Sequence, residues 1–270
     1  MSSPTLPKGI RLRRRLDAEL VRRGIASGRD DAKRLIGSGS ITVDGSSIVK
    51  ASTLVAETAS IVLDDSPPRW ASRAGDKLAH ALDVFAVDAT GCSSLDVGAS
   101  TGGFTDVLLD RGAASVTAVD VGYGQLLWRL RQDPRVRVFD RTNFRTVDPN
   151  DLGGPFELVV VDVSFISVSL IAANLARVGD PGADYVVLVK PQFEVGRDRV
   201  GRGGVVTDPM DHGDAIHSVI LGLAAAEIGV VDVTASPLTG AKGNREFLVH
   251  GVLGRVRTVS NQLISSVAAS

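Results

Sequence analysis

Apolar positions recur with a helical period near the N-terminus, where Leu12, Leu16, Leu20 and Val21 fall on one side from Ile10 onward. Arg11, Arg13, Arg14, Arg15, Arg22 and Arg23 take the other side, and Gly24 ends the stretch. A second helix is expected over about 29–36, stopped by Gly37 and Gly39. The period then shortens. Ile41, Thr42 and Val43 alternate, Asp44-Gly45 reads as a hairpin turn, and Ile48-Val49 and Ile61-Val62-Leu63 read as strand pieces. Residues 1–9 carry two prolines and no period, so they read as a disordered lead-in to a small α+β domain over 10–63. Asp64-Asp65-Ser66-Pro67-Pro68 opens a linker over 64–73, with Trp70 as the apolar plug that seats it on the second domain.

Beyond the linker the chain changes character. A-G-D-K-L-A-H-A-L is a helix whose Leu78 and Leu82 face inward. Strand signals then stand at 93–96, 115–119, 136–139, 158–162, 185–189, 230–235 and 245–251, separated by helical or loop stretches. That alternation predicts an α/β domain over 74–257, with a mainly parallel sheet covered on both faces and a tail over 258–270. Residues 191–207 read as a long functional loop, and Asp208-Pro209 as the cap and first turn of a helix running to Ala226.

Charge sharpens this division. The chain of 270 residues has a net charge of −1, yet residues 1–50 hold 11 Lys+Arg against 5 Asp+Glu, and the remainder holds 19 against 26. A basic head on an acidic body points to a polyanion as the head's partner. Cys92 is the single cysteine, which excludes an intrachain disulfide and a cysteine-based zinc cluster, and His80, His212, His217 and His250 are too scattered to form a metal set. No apolar run nears the ~18 residues of a membrane helix, so the expectation is a cytoplasmic protein with no membrane partner. Oligomeric state is not legible, with a monomer the favoured reading.

The candidate chemistry centres on Leu95–Thr105, L-D-V-G-A-S-T-G-G-F-T, a glycine-rich strand-to-helix turn. Glycine leaves no Cβ, so a ligand lies directly on the backbone. The spacing is not that of the dinucleotide fingerprint, and no Lys-Ser or Lys-Thr comes after it for a triphosphate. Asp120 closes the next strand 22 residues beyond Gly98, placed to accept from ribose hydroxyls. A ribose-bearing cofactor without an essential phosphate fits, and S-adenosylmethionine is one. Its expected shell is Asp96, Gly98, Ala99, Ser100, Thr101, Gly102, Gly103 and Phe104 at the methionine end, Asp120 on the ribose, Asn143 in the 140–143 loop near adenine, and Asp162. Asp162 and Lys190 each end a strongly apolar strand, where a charge costs desolvation unless it is used. The alternative is a structural ion pair. Phe165 reads either as a core residue, the favoured choice, or as a stacking surface for a substrate base.

D-A-E-L-V-R-R-G-I-A-S-G-R-D-D-A-K-R-L-I-G-S-G-S-I-T-V-D-G resembles the S4 RNA-binding domain over about 14–65. The resemblance implies that Arg13, Arg14, Arg15, Arg22, Arg23, Arg29, Lys33 and Arg34, joined by Arg73, contact phosphates of structured RNA; the plainer alternative is a solvated helix face. The body resembles FtsJ-type ribose 2'-O-methyltransferases. The S4-like head together with R-W-A-S-R-A-G-D-K-L, V-D-V-S-F-I-S, L-V-K-P-Q-F-E and G-N-R-E-F resembles the TlyA family in particular, over about 11–250. Ala74 departs from that family's pattern, which has glycine there. The resemblance implies a catalytic tetrad of Lys77, Asp162, Lys190 and Glu246, and a cytidine ribose in small- and large-subunit ribosomal RNA as target.

A ribose hydroxyl is a poor nucleophile, so the enzyme must align it with the methyl group and take its proton. Lysine serves as that base if its pKa falls well below ~10.4, which burial and a second ammonium promote. The expected roles are Lys190 as base, Lys77 to depress its pKa and hold the ribose, Asp162 to orient Lys190, and Glu246 to position Lys77 or the substrate. Rival readings are an NAD(P)-linked oxidoreductase, which leaves the two lysines unexplained; a membrane-active cytolysin, the sense of the hemolysin name some family members carry; and an RNA-binding factor with a degenerate catalytic domain.

Overall fold

The computed structural model describes residues 13–37, 40–44, 46–47, 50–63, 69–201, 203–240 and 243–270. The expected lead-in at 1–9, Gly39, Gly45, Ile48-Val49 and the first half of the linker lie outside them. Contacts divide the chain into two units, Met1–Pro67 and Pro68–Ser270.

In the first unit β1 (Arg13–Arg15), α1 (Leu16–Arg22), α2 (Arg29–Gly37), β2 (Ile41–Val43), β3 (Ser46–Ser47), β4 (Leu54–Ala56) and β5 (Ile61–Leu63) succeed one another. β1 pairs antiparallel with β4, and β2 pairs antiparallel with both β3 and β5. Leu16, Leu20, Ala32, Ile36, Ile41 and Val55 form its core. The apolar period predicts helix from Ile10, but Arg13–Arg15 is a strand with all three residues exposed. Three consecutive arginines offer a helix no apolar position to bury, whereas pairing with β4 satisfies their backbone and leaves the side chains in solvent.

The second unit runs α3 (Ala74–Phe85), β6 (Ser93–Val97), α4 (Gly103–Asp110), β7 (Ser115–Val119), α5 (Trp128–Arg131), β8 (Val136–Phe139), β9 (Phe156–Val161), α6 (Ala172–Val178), β10 (Gly179–Val189), α7 (Pro191–Glu194), α8 (Pro209–Ala224), β11 (Ile228–Ala235), β12 (Phe247–Leu253) and α9 (Asn261–Ala269). Seven strands form one sheet in the order β11-β12-β10-β9-β6-β7-β8. Its pairs are parallel from β10 through β8, and β12 runs antiparallel to β10 and β11. Both faces are covered. Val159 and Val161 belong to one apolar cluster and Leu158 and Val160 to the other, the alternation a strand buried on two sides requires. This is a Rossmann-like, doubly wound sheet with an antiparallel edge, and a small α+β unit precedes it.

Two expectations change. Residues 261–269 are helix α9, with Ile264 and Ala268 buried in the main core; Ser260 caps it by accepting from the Leu263 amide. The 191–207 stretch begins with α7 and holds a 3-10 turn at Arg197–Arg199. Trp70 is buried in an apolar cluster of the second unit. Among the described residues no helix is long and apolar enough to cross a membrane.

Candidate active site

Each strand from β6 to β10 leaves the sheet at the same carboxyl edge, and the site is built there. After β6 the chain turns at Gly98, whose φ is +90° and whose amide donates to the Val119 carbonyl at 2.8 Å. A Cβ at this position would lie 2.4 Å from the Asp162 carbonyl oxygen, so the turn and the segment after β9 approach as closely as they do because Gly98 has no side chain. Asp120 braces the turn from the next strand. Its Oδ2 accepts from the Ser100 amide at 2.8 Å and its Oδ1 from the Gly122 amide at 2.6 Å. A carboxylate has about four acceptor sites, so two such bonds leave capacity for a ribose diol.

A cavity of about 320 Å³ opens beside the turn, lined by Gly98, Ser100, Asp120, Asn143, Asp162 and Phe165 among others. A backbone cradle with two carboxylates suits both a ribose and a positively charged sulfonium, so the residues present fit S-adenosylmethionine. Five residues of the expected shell therefore line the cavity: Gly98, Ser100, Asp120, Asn143 and Asp162. Asp96, Ala99, Thr101, Gly102, Gly103 and Phe104 are not in the lining. Phe104 is core, and Gly103 is backed by Ser72. Asp96 is fully buried and accepts from Thr105 Oγ1 at 2.6 Å, which ties β6 to α4; burial pushes its carboxyl up to about 7. These residues shape the turn from behind. Asp140 is likewise turned away, paired with Arg131 at 2.6 Å.

The four tetrad positions meet at the same edge. Val189 lies opposite Phe247 in the β10–β12 ladder, which makes Lys190 and Glu246 the next positions on neighbouring strands. Asp162 comes directly after β9, and its amide donates to the Val97 carbonyl at 2.9 Å. Lys77 comes from α3 and pairs with Glu246, both nearly buried. Gly240 accommodates that carboxylate, since a Cβ there would fall 1.8 Å from Glu246 Oε1. Lys190 Nζ stands 2.5 Å from Asp162 Oδ1 and donates to Ser164 Oγ at 2.8 Å. Oδ1 accepts no aligned hydrogen bond among the described residues, so its contact with Lys190 is a pairing of charges. Asp162 and Ser164 both line the cavity, which places the Lys190 amine at its rim.

Phe165 is not core. It is 91% exposed, adopts a left-handed φ of +67°, and packs at 5.1 Å on Phe193 from α7. A bulky aromatic in that backbone region is strained, and such strain concentrates at functional sites. Ser164, Phe193 and Glu194 also stand at this edge, and sequence reasoning does not single them out. Glu194 accepts from Ser167 Oγ at 2.6 Å and from the Val168 amide at 3.0 Å, clasping the segments after β9 and β10 together. A polar residue two positions past Asp162 is the available signal for Ser164. Among the described residues no group of three or more His, Cys, Asp and Glu is placed to hold a metal ion.

The basic residues of the head divide into two kinds. Arg15 forks onto buried Asp17 at 3.1 and 2.8 Å, and Arg22 and Arg23 converge on buried Glu19. Arg23 also donates to the Ala59 and Glu57 carbonyls, so it is committed to the fold of the head. Exposed Lys33 pairs with Asp30 at 3.0 Å. Arg13, Arg14 and Arg29 are exposed and make no ion pair among the described residues. The Arg34 side chain lies outside them. In the second unit Arg73 precedes α3, half-buried and without an ion pair among the described residues.

Comparison with known proteins bears on this arrangement. The FtsJ-like methyltransferase family model matches residues 70–252. The 16S/23S rRNA (cytidine-2'-O)-methyltransferase TlyA of Mycobacterium tuberculosis is 51% identical over 88% of this chain and 89% of its own. Hemolysin A of Brachyspira hyodysenteriae is 35% identical over 88% of this chain and 100% of its own. A solved structure from Streptococcus thermophilus that carries a hemolysin name is 37% identical, with a TM-score of 0.76 over 95% of this chain and 94% of that one. With the seven-stranded sheet, the glycine turn and both lysine–carboxylate pairs at one edge, these matches establish that the chain belongs to the TlyA family of FtsJ-like methyltransferases.

Proposed function

We propose that this protein methylates the 2'-hydroxyl of cytidine in 16S and 23S ribosomal RNA, using S-adenosylmethionine. The observation that carries the reading is the gathering of Lys77, Asp162, Lys190 and Glu246 at one sheet edge, with Asp162 in the wall of the cofactor-sized cavity. S-adenosylmethionine bound there would supply an electrophilic methyl group on a sulfonium, with a neutral thioether as the leaving group. The chain's own task is to bring a ribose oxygen into line and remove its proton.

Lys190 does the latter. As the free amine it accepts the 2'-hydroxyl proton, and the ammonium it becomes rests against the Asp162 carboxylate at 2.5 Å. Glu246 holds Lys77 in place at the same edge, and the role of Lys77 is to hold the ribose. Gly98, Ser100, Asp120 and Asn143 would hold the cofactor through the cradle and the carboxylate described above. Phe165, exposed and braced by Phe193, offers its ring to the base of the target nucleotide. The head resembles an S4 domain, and its exposed Arg13, Arg14 and Arg29 dock on ribosomal RNA by phosphate contacts. Ribosomes place the enzyme in the cytoplasm.

The test is incubation of purified 30S and 50S subunits with labelled S-adenosylmethionine and the protein, with mapping of the label afterwards. Ribose methylation of a cytidine in each subunit's RNA is expected. Label in neither subunit would reject the reading.

A further inference from the structure

The two groups that meet Lys190 Nζ act on it in different ways. Asp162 pairs with it through charge at 2.5 Å, without an aligned hydrogen bond to Oδ1. Coulomb attraction holds the ammonium form in place but sets its rotation about Cε–Nζ only weakly, and it is lost when the group becomes the free amine. Ser164 Oγ, at 2.8 Å, is the aligned hydrogen-bond acceptor for Nζ among the described residues. A free amine has two N–H groups and one lone pair. Whichever N–H is committed to Ser164 therefore restricts where the lone pair points, and general-base catalysis requires it to point at the hydroxyl.

Ser164 is itself held from both sides. Upstream, the Asp162 amide is bonded to the Val97 carbonyl at 2.9 Å. Downstream, Phe165 turns through its left-handed conformation onto Phe193, and Glu194 receives both Ser167 Oγ and the Val168 amide. Phe193 and Glu194 lie three and four residues past Lys190 in the same short helix. The segments that carry base and acceptor are thus clasped at two further points, which fixes the backbone separation that the Nζ–Oγ hydrogen bond spans. The Ser164 hydroxyl also lines the cofactor cavity, so it orients the amine from the wall next to which the reaction occurs.

We infer that Ser164 is a positioning residue for methyl transfer: its oxygen accepts an N–H from Lys190 and so directs the amine's lone pair at the ribose hydroxyl. The hydroxyl proton passes to Lys190, and Ser164 keeps its own throughout. This rests on the reading of Lys190 as the base.

The experiment compares wild type, Ser164→Ala, Ser164→Thr and Lys190→Ala by steady-state kinetics on ribosomal subunits, with cofactor binding by calorimetry and melting temperature alongside. Ser164→Ala is expected to lower kcat by about 10- to 100-fold, part of the ~100- to 10,000-fold that general-base catalysis contributes, with KM for the cofactor within about two-fold. Ser164→Thr, which keeps the hydroxyl, should recover kcat to within a few-fold. Undiminished kcat in Ser164→Ala, a loss carried by KM for the cofactor, or equal loss in the Ala and Thr variants would overturn the inference. Activity in Lys190→Ala would instead overturn the base assignment. An inactive Lys190→Ala beside a fully active Ser164→Ala rejects the role of Ser164 alone.

Discussion

The head and the sheet edge both press carboxylates against cations, and they use the pairing to opposite ends. In the head the cations are arginines. Glu19 takes the guanidinium groups of Arg22 and Arg23, which hold its carboxyl down to about 2, and Arg23 commits two further donors to backbone carbonyls. At the sheet edge the cations are lysines, each facing one carboxylate, and an ammonium is a point charge that gives up its proton far more readily than a guanidinium. Arginine there would form a permanent pair; lysine leaves a group able to exchange a proton next to a cavity. Buried charge by itself therefore does not mark a site. The kind of cation separates the two regions, and in the Lys190–Asp162 pair the carboxylate also opens onto the cavity.

The predictions test that contrast from its strongest expected effect downward. Lys190→Ala should lower methyl transfer by about 1,000-fold or more while cofactor affinity by calorimetry stays within about three-fold; a variant that binds and still turns over would place the base elsewhere. Glu246→Gln removes the charge that balances Lys77, so kcat should drop about 10- to 100-fold and stability to urea by about 1–3 kcal/mol. A fall in stability with kcat unchanged would make this second pair structural.

For the head, Glu19→Gln should cost about 1–3 kcal/mol in denaturant unfolding and leave cofactor binding alone. Its carboxyl is depressed from 4.5 to about 2, so the folded state binds the proton less readily than the unfolded chain. The Glu19 contribution to stability is then complete above about pH 4.5 and lost as pH falls toward 2. Unfolding midpoints across that window should decline less steeply for Glu19→Gln than for wild type, and parallel curves would contradict the assignment. Smallest in folding terms is Arg13→Ala with Arg14→Ala. It should leave stability within about 0.5 kcal/mol but flatten the salt dependence of RNA binding by up to about two units of log–log slope, whereas Arg23→Ala should do the reverse.

How much of this the residues announce differs between the same two regions. Asp162 and Lys190 are legible because a charge terminating V-V-V-D or V-L-V-K is costly without a use, and strand order then brings the two ends together. Lys77 and Glu246 carry no such mark, since each sits in a stretch that reads equally well as surface, and only family resemblance points to them. The glycine turn announces a ligand cradle but not which of its residues face it. Phe104 turns behind the cavity because α4 packs it against the sheet, and Asp96 is tied within β6 to Thr105 of that helix, a tertiary outcome that local spacing does not encode. Phe165 runs against expectation for a related reason: an aromatic after a buried strand is ordinarily core, and the left-handed turn that exposes it is a property of the assembled loop. In the head, charge counting treats all arginines alike, although the buried Asp17 and Glu19 stand in the same helix to claim three of them. The C-terminal helix α9 leaves its signal in the Ser260 cap and in the spacing of Ile264, Val267 and Ala268.

The most direct measurement locates the transferred methyl within the nucleotide. Ribosomal RNA from 30S and 50S subunits treated with the protein and isotopically labelled S-adenosylmethionine is digested to nucleosides and analysed by mass spectrometry. The account predicts label in 2'-O-methylcytidine, abolished by Lys190→Ala. Label on a base atom, or ribose methylation undiminished without the Lys190 amine, would contradict it.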